Sequence, residues 1–392
     1  MLKLTGGVGI AGLAGCSGSS GDEAYNIGMV DAQTGSLSAF GERNQRGKDL
    51  ALSAVKEGGI GGRELQINVE DSRRENQGGI SGAQKLVNQD GVPFLIGAVG
   101  SGVSLAIYES VIQGTDVVQL SQNSTGLGLT DFPGLLRMSP TGRTQSVALA
   151  DIIADDDYDE VALTYVNNNY GQSLADAFLN SWDGSVAYDN SHDQDQQSYA
   201  SVISEMNSSG ADAWLFITYQ AEFATMVNEI FSSGYEPMLY GADSVSGDNV
   251  LENTPDGSME GMKIVVPSAP VEEQNYQDFA SAFESEYDQS PTSWAAYAYD
   301  CVVNAALAIQ AADEFTGAAL GDVVRDVTRP DGEQVTSFEA ASEILADGGP
   351  SDVDYQGVSG PINFNENGDP VGFLQILEVQ DHSYEGTGFI ES

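Results

Sequence analysis

Pro93-Phe94-Leu95-Ile96-Gly97-Ala98-Val99-Gly100-Ser101-Gly102-Val103 reads as a buried strand running through a glycine-rich turn into a helix. Pro93 to Ile96 reads as a short buried strand, and Val103 to Gln113 carries apolar residues at helical spacing. Val117 to Leu120 is the next strand. Upstream the alternation is the same: a strand at Tyr25 to Val30, a helix from Gly41 to Glu57 stopped by Gly58-Gly59, a strand at Leu65 to Val69 and a helix from Gln77 to Asp90. Strands alternating with helices of this length predict βαβ units around a parallel sheet.

A second block opens after Ser139-Pro140-Thr141-Gly142. Helices are expected at Gln145 to Asp155, Gly171 to Trp182, Ser198 to Ser208 and Glu222 to Ser232, and strands at Glu160 to Tyr165, Ala213 to Ile217 and Met238 to Gly241. The fold class is therefore α/β, with two doubly wound parallel-sheet lobes, which a chain of 392 residues accommodates. Helices follow at Tyr276 to Asp288 and Thr292 to Asp313, the latter placing Cys301 in an apolar setting suited to a buried free thiol. Strands at Gly360 to Phe364 and Phe373 to Val379 flank the turn Asn365-Glu366-Asn367-Gly368-Asp369.

The formal charge is -45, from 59 acidic and 14 basic residues. Such self-repulsion weakens a compact state in dilute salt but is screened in molar salt, where the Debye length is about 3 Å. With the acids spread along the chain, this indicates a halophilic extracellular protein of haloarchaeal type. Nucleic acid is excluded as a partner for want of a basic cluster: ten of the 14 basic residues lie between Arg43 and Arg143, read as dispersed over solvated helices.

Catalytic and metal motifs are absent. His192, in a polar loop, and His382, near the tail, have no metal-type neighbours at useful spacing, so no metal site and no cofactor is expected. Gly7-Val8-Gly9-Ile10-Ala11-Gly12 matches a dinucleotide fingerprint by spacing, but no strand precedes it. Acidic runs such as Asp155-Asp156-Asp157 read as solvated surface. The chain is not expected to be an enzyme.

The best binding candidate is Gly100-Ser101-Gly102, where glycine permits close backbone approach and helix-start amides attract an anion. Ser101 alternatively serves as a helix cap.

Several segments resemble the type I periplasmic solute-binding proteins, in particular the branched-chain amino-acid group that serves ABC importers. Asp31 to Gly41 resembles the family's first strand-to-helix loop, Gly58-Gly59-Ile60-Gly61-Gly62-Arg63 its glycine-rich hairpin, and Ala83 to Val87 with Ile96 to Ser104 its second helix and third strand-turn. Tyr170-Gly171 and Gly357 to Gly372 extend the likeness toward the C-terminus. The resemblance implies a hinge of three crossings, near Ser139 to Thr144, Val265 to Ala269 and Gly357 to Pro361. Residues 25–141 with 268–357 would form lobe 1, and 142–267 with 358–392 lobe 2. It also implies ligand contacts at Gly100 and Ser101, at the hydroxyls of Ser124 and Thr125, and, across the cleft, at Tyr170, Tyr219 and Asp243, with Phe40 as a wall. Asp243 would pair with a ligand ammonium. Gln122 and Asn123 depart from the family's usual Ser-Pro-small-small-Thr and reshape the pocket.

Leu13-Ala14-Gly15-Cys16, followed by Ser17-Gly18-Ser19-Ser20-Gly21, resembles a lipoprotein signal. Residues 1–15 are then an export signal and 16–24 a linker anchored by lipid on Cys16, holding the protein at the outer face of the membrane. Leu2-Lys3-Leu4-Thr5 looks like the continuation of a twin-arginine signal, so an internal start at Met1 is expected. The expected function is capture of a small amino acid, branched-chain or similar, by a monomer that delivers it to an ABC permease and its ATPase subunits. A receptor for urea, short amides or another organic solute, or a ligand-sensing module, is the alternative.

Overall fold

The computed structural model describes residues 24–35 and 37–391; Cys16, the expected export signal at 1–15 and the expected linker up to residue 23 lie outside them. The first five strands are β1 (Tyr25–Asp31), β2 (Leu65–Asp71), β3 (Phe94–Gly97), β4 (Val118–Ser121) and β5 (Leu135–Arg137). They form one sheet in the order β2-β1-β3-β4-β5, parallel at every step. Every residue of β3 and β4 is buried, as expected of central strands covered by helices on both faces. Between the strands run α1 (Ser38–Gly58), α2 (Asn76–Gln84) and α3 (Ser101–Ile107). The expected Gln77 to Asp90 helix is α2 followed by a π-helical turn, Lys85–Gln89.

After α4 (Gly142–Asp155), a second sheet collects β6 (Glu160–Val166), β7 (Ser185–His192), β8 (Ala213–Ile217), β9 (Met238–Gly241) and β10 (Lys263–Ser268). Its helices are α5 (Asn169–Ser181), α6 (Ala200–Ser209), α7 (Gln220–Ser233) and the short α8 (Asp248–Glu252). The chain then makes α9 (Gln274–Tyr287), α10 (Ser293–Ala311) and α11 (Gly317–Val323), and a small sheet of β11 (Glu333–Val335), β12 (Val353–Gly357) and β13 (Gly360–Pro361) that is interrupted by α12 (Phe338–Leu345). Helix α10 is buried along nearly its whole length and packs on α1, beside the first sheet. Finally β14 (Phe373–Gln380) and β15 (Ser383–Glu391) return to the second sheet, whose order is β15-β14-β10-β9-β8-β6-β7.

The architecture is the expected α/β pair of doubly wound sheets, with one difference. β14 and β15 join antiparallel to β10 and to each other. Asp381 and His382, at φ 49° and 60°, make the tight turn between them, a geometry that matches the twist of a two-stranded hairpin. Strand β7 was not legible because it is an edge strand with mostly solvent-facing, polar residues. His192, expected in a loop, is its last residue and is buried.

Candidate functional site

Both sheets reverse their strand order once, between β1 and β3 and between β6 and β8. At such a reversal the loops leaving the carboxyl ends of the two strands diverge and leave a crevice. The loops after β1, β3 and β4 face those after β6, β8 and β9 around a small, partly open cavity.

Gly100, Ser101 and Thr125 line this cavity from the first sheet, and Tyr170, Tyr219 and Asp243 from the second. Gly100 has φ 93°, a left-handed conformation that favours glycine, and it holds the N-cap position of α3 with no side-chain cap. Ser101 is therefore not a capping side chain. Its Oγ accepts the Gly126 amide at 2.9 Å, which leaves its proton for an acceptor in the cavity. Tyr170 sits in the first turn of α5, whose Asn168 cap accepts the Gly171 amide at 3.1 Å. A Cβ on Gly171 would stand 2.1 Å from the Val166 carbonyl, so only glycine lets this turn close on β6.

Ser124 is not brought to the cavity. Its Oγ lies 2.7 Å from Ser121 Oγ and 2.9 Å from Ser104 Oγ, in a buried hydroxyl cluster behind the loop. The same loop is held from below by Arg137, which is fully buried and donates to the carbonyls of Ser124 and Gly126 at 3.2 and 2.8 Å and to Asp369 at 2.6 Å. Arg137 thus departs from the expectation that the basic residues are solvated: it is buried and braces the loop after β4.

Phe40 forms one wall, edge-on to Trp294 at 5.8 Å. Trp294, in the first turn of α10, was not singled out from sequence, nor were Leu37, Val99 and Ser244, which also line the space. An aromatic opening a long apolar helix was the available signal for Trp294. Tyr170 and Tyr219 stack opposite, with ring centres 5.4 Å apart and planes inclined by 20°.

Asp243 is the one formally charged residue among the described residues lining the cavity. Burial pushes its carboxyl above the ordinary range, against the lowering effect of hydrogen bonds from Tyr170, Gln145 and Ser244. No cation accompanies it in the cavity lining. A ligand ammonium placed there would gain a charge-assisted bond in a dry site and relieve that penalty.

Arg74 spans the rim. From the loop after β2 it donates to Gln194 at 2.6 Å, Glu222 at 2.9 Å and Asp195 at 3.1 Å, all in the half built on the second sheet. Its guanidinium lies over the Tyr219 ring at 4.6 Å. Sequence reading gave Arg74 no role, since its partners lie more than a hundred residues away.

The sequence matches a family model described as periplasmic binding protein over residues 24–380. The chain belongs to this family. Its members bind solutes and are not enzymes. A Leu/Ile/Val-binding protein homolog 3 of Brucella melitensis is 26% identical over 227 residues, 56% of this chain and 61% of the relative. A homolog 7 of Brucella abortus is 22% identical over 316 residues, covering 74% and 77% of the two chains. This chain thus spans about three fifths of the length of the first of these relatives. Among solved structures, the leucine-binding protein LivK of Thermotoga maritima superposes with a TM-score of 0.81 at 20% identity, over 94% of this chain and 99% of its own. LivJ of Streptococcus pneumoniae, solved in complex with isoleucine, gives 0.81 at 20% identity over 94% and 100%. These likenesses establish the fold as that of the type I periplasmic binding proteins. Among the described residues no helix is long and apolar enough to cross a membrane.

Proposed function

We propose that this protein is an extracytoplasmic receptor that closes two lobes over a small amino acid, of branched-chain size, and presents it to an ABC importer. The observation that carries this reading is the pairing, in one small cavity, of an uncompensated buried carboxylate with hydroxyl donors. Asp243 suits an ammonium; Ser101 and Thr125, at the start of α3 and beside it, suit a carboxylate. Leu37, Phe40, Val99 and Trp294 offer an apolar wall to a short side chain. The leucine- and isoleucine-binding neighbours support the same ligand class.

The lobes we assign are residues 25–141 with 268–357 and 142–267 with 358–392, hinged where the chain passes between the sheets. Closure brings Arg74 onto Asp195, Gln194 and Glu222. Lipid on Cys16 would keep the receptor beside its permease, and the charge of -45 suits molar salt. Thermal-shift screening of amino acids, amides and urea in molar KCl tests the reading. A ligand at 100 times its dissociation constant adds about 2.7 kcal/mol of stability. If no amino acid raises the melting temperature, the proposed ligand class is wrong. Loss of membrane association in Cys16→Ser, measured separately by fractionation, tests the anchor.

A further inference from the structure

Asn123, in the loop after β4, lines the cavity and is 6% exposed. Both its Nδ2 and its Oδ1 are buried and have no hydrogen-bond partner among the described residues. The residue is not free to swing away by its backbone. Its carbonyl accepts the Gly100 amide at 2.9 Å, and it is bridged to Val99 as a one-residue extension of the parallel sheet. A buried carboxamide left without partners is costly, and native structures supply the missing bonds from protein, water or ligand.

On the amino-acid reading of the site, the two charged ends of the ligand are already provided for. Asp243 answers the ammonium, and Ser101 and Thr125 answer the carboxylate. The Asn123 carboxamide is then left over, one donor and one acceptor side by side, for the remaining part of the ligand. An aliphatic chain satisfies neither atom. A hydroxyl can both accept from Nδ2 and donate to Oδ1, and an amide can do so along one edge.

We infer that Asn123 is a specificity-determining ligand contact, and that the ligand presents a hydroxyl or amide group to it. This inference rests on the cavity being the solute site proposed above, and it narrows the ligand class from aliphatic to polar side chains of similar size. A site built to hydrogen-bond such a group discriminates against the analogue lacking it, because the protein's own polar atoms are then left unpaired.

Isosteric pairs isolate the effect: threonine against valine, and asparagine against leucine, titrated calorimetrically into the wild-type protein, Asn123→Ala and Asn123→Ser. The wild type is expected to bind the polar member of at least one pair about tenfold to hundredfold more tightly. Asn123→Ala should remove that ratio, and Asn123→Ser, with a shorter hydrogen-bonding group, should keep part of it. The ratio is read within each variant, so a modest change in fold stability does not move it. If amino acids fail but acetamide or urea binds, and Asn123→Ala abolishes that binding, the amino-acid reading falls while this inference stands. Valine and leucine binding as tightly as their polar partners overturns it, as does a preference that survives Asn123→Ala, or silence from the whole panel.

Discussion

The Tyr170 hydroxyl donates to Asp243 Oδ1 at 2.8 Å, and Gln145 Nε2 meets the same oxygen at 3.1 Å, so one side of this carboxylate is held by the protein itself. The other oxygen, Oδ2, receives the Ser244 hydroxyl at 3.3 Å, a longer contact. Asp243 is thereby aimed, with one oxygen committed and the other available. Asp243→Asn is expected to lower amino-acid affinity by at least about thirtyfold, because a buried ammonium would lose its counter-charge. The empty protein should not lose stability at neutral pH. The folded carboxyl titrates above its ordinary 3.8, so its burden on the folded state grows as pH rises from about 4 through the folded value, and the amide never carries it. Calorimetry with melts at pH 7 checks both halves; unchanged affinity would remove Asp243 from the site.

Arg74 joins the two halves of the molecule without lining the small cavity. Arg74→Ala is expected to weaken ligand binding about tenfold or more, chiefly through faster release, since it removes bonds that exist in the closed arrangement. Stopped-flow dissociation kinetics read the rate, and small-angle scattering of the ligand-bound variant should show a more open particle. A release rate equal to wild type would deny Arg74 a part in closure.

Arg137 and Asp369 are an ion pair buried at 0% and 7% side-chain exposure. Arg137→Met strands the carboxylate and the carbonyls of Ser124 and Gly126, and is expected to cost about 3–5 kcal/mol. Adding Asp369→Leu should recover part of that loss. Denaturant titrations of the two variants check this; a single variant as stable as wild type would show that the loop needs no support from Arg137.

His192 is held neutral. Thr164 Oγ1 donates to the Asn190 carbonyl at 3.1 Å and so accepts from His192 Nδ1 at 3.0 Å, leaving Nε2 to accept from Thr218 Oγ1 at 2.9 Å. Burial pulls the imidazole down to about 4. Between that value and 6.5 the unfolded chain binds a proton that the folded one refuses, so this group makes stability rise with pH across that window. Asp31 and Asp300, pushed up to about 6 by burial, act in the opposite sense between about 4 and 6. His192→Gln should therefore reduce the slope of unfolding free energy against pH by up to about 1.4 kcal/mol per unit. Denaturation between pH 4 and 7 measures it, and an unaltered slope would mean that the histidine protonates in place.

The acidic surface should make salt a condition of folding. The melting temperature is expected to rise from 0.1 to 2 M KCl by more than it rises in sucrose of equal osmolality, because sucrose strengthens burial without screening charge. Equal effects would show that repulsion is not what limits stability.

Part of the cavity was legible from local pattern: Gly100 and Ser101 sit in a strand-turn-helix rhythm that can be read from hydrophobic spacing. Thr125, Tyr170, Tyr219 and Asp243 also follow strand ends closely, but they were singled out only through the likeness to the binding-protein family. Ser124 shows the limit of that logic. A hydroxyl next to Thr125 in sequence points the other way, into Ser104 and Ser121, since neighbours in an extended loop face opposite sides. Trp294 shows another limit: it reaches the cavity only because α10 packs on α1, a contact between segments more than two hundred residues apart.

What the chain's own order of residues determined was the succession of buried strands and amphipathic helices, the acidity, and the glycine-dependent turns, because these depend on periodicity and local backbone freedom. Only the tertiary structure decided which polar groups are matched and which are not. It paired Arg137 with Asp369 and Arg74 with Glu222, left Asp243 without a cation in the cavity lining, and left the Asn123 carboxamide without a partner among the described residues. Charge pairing and desolvation are properties of distances across the fold, which no run of neighbouring residues contains.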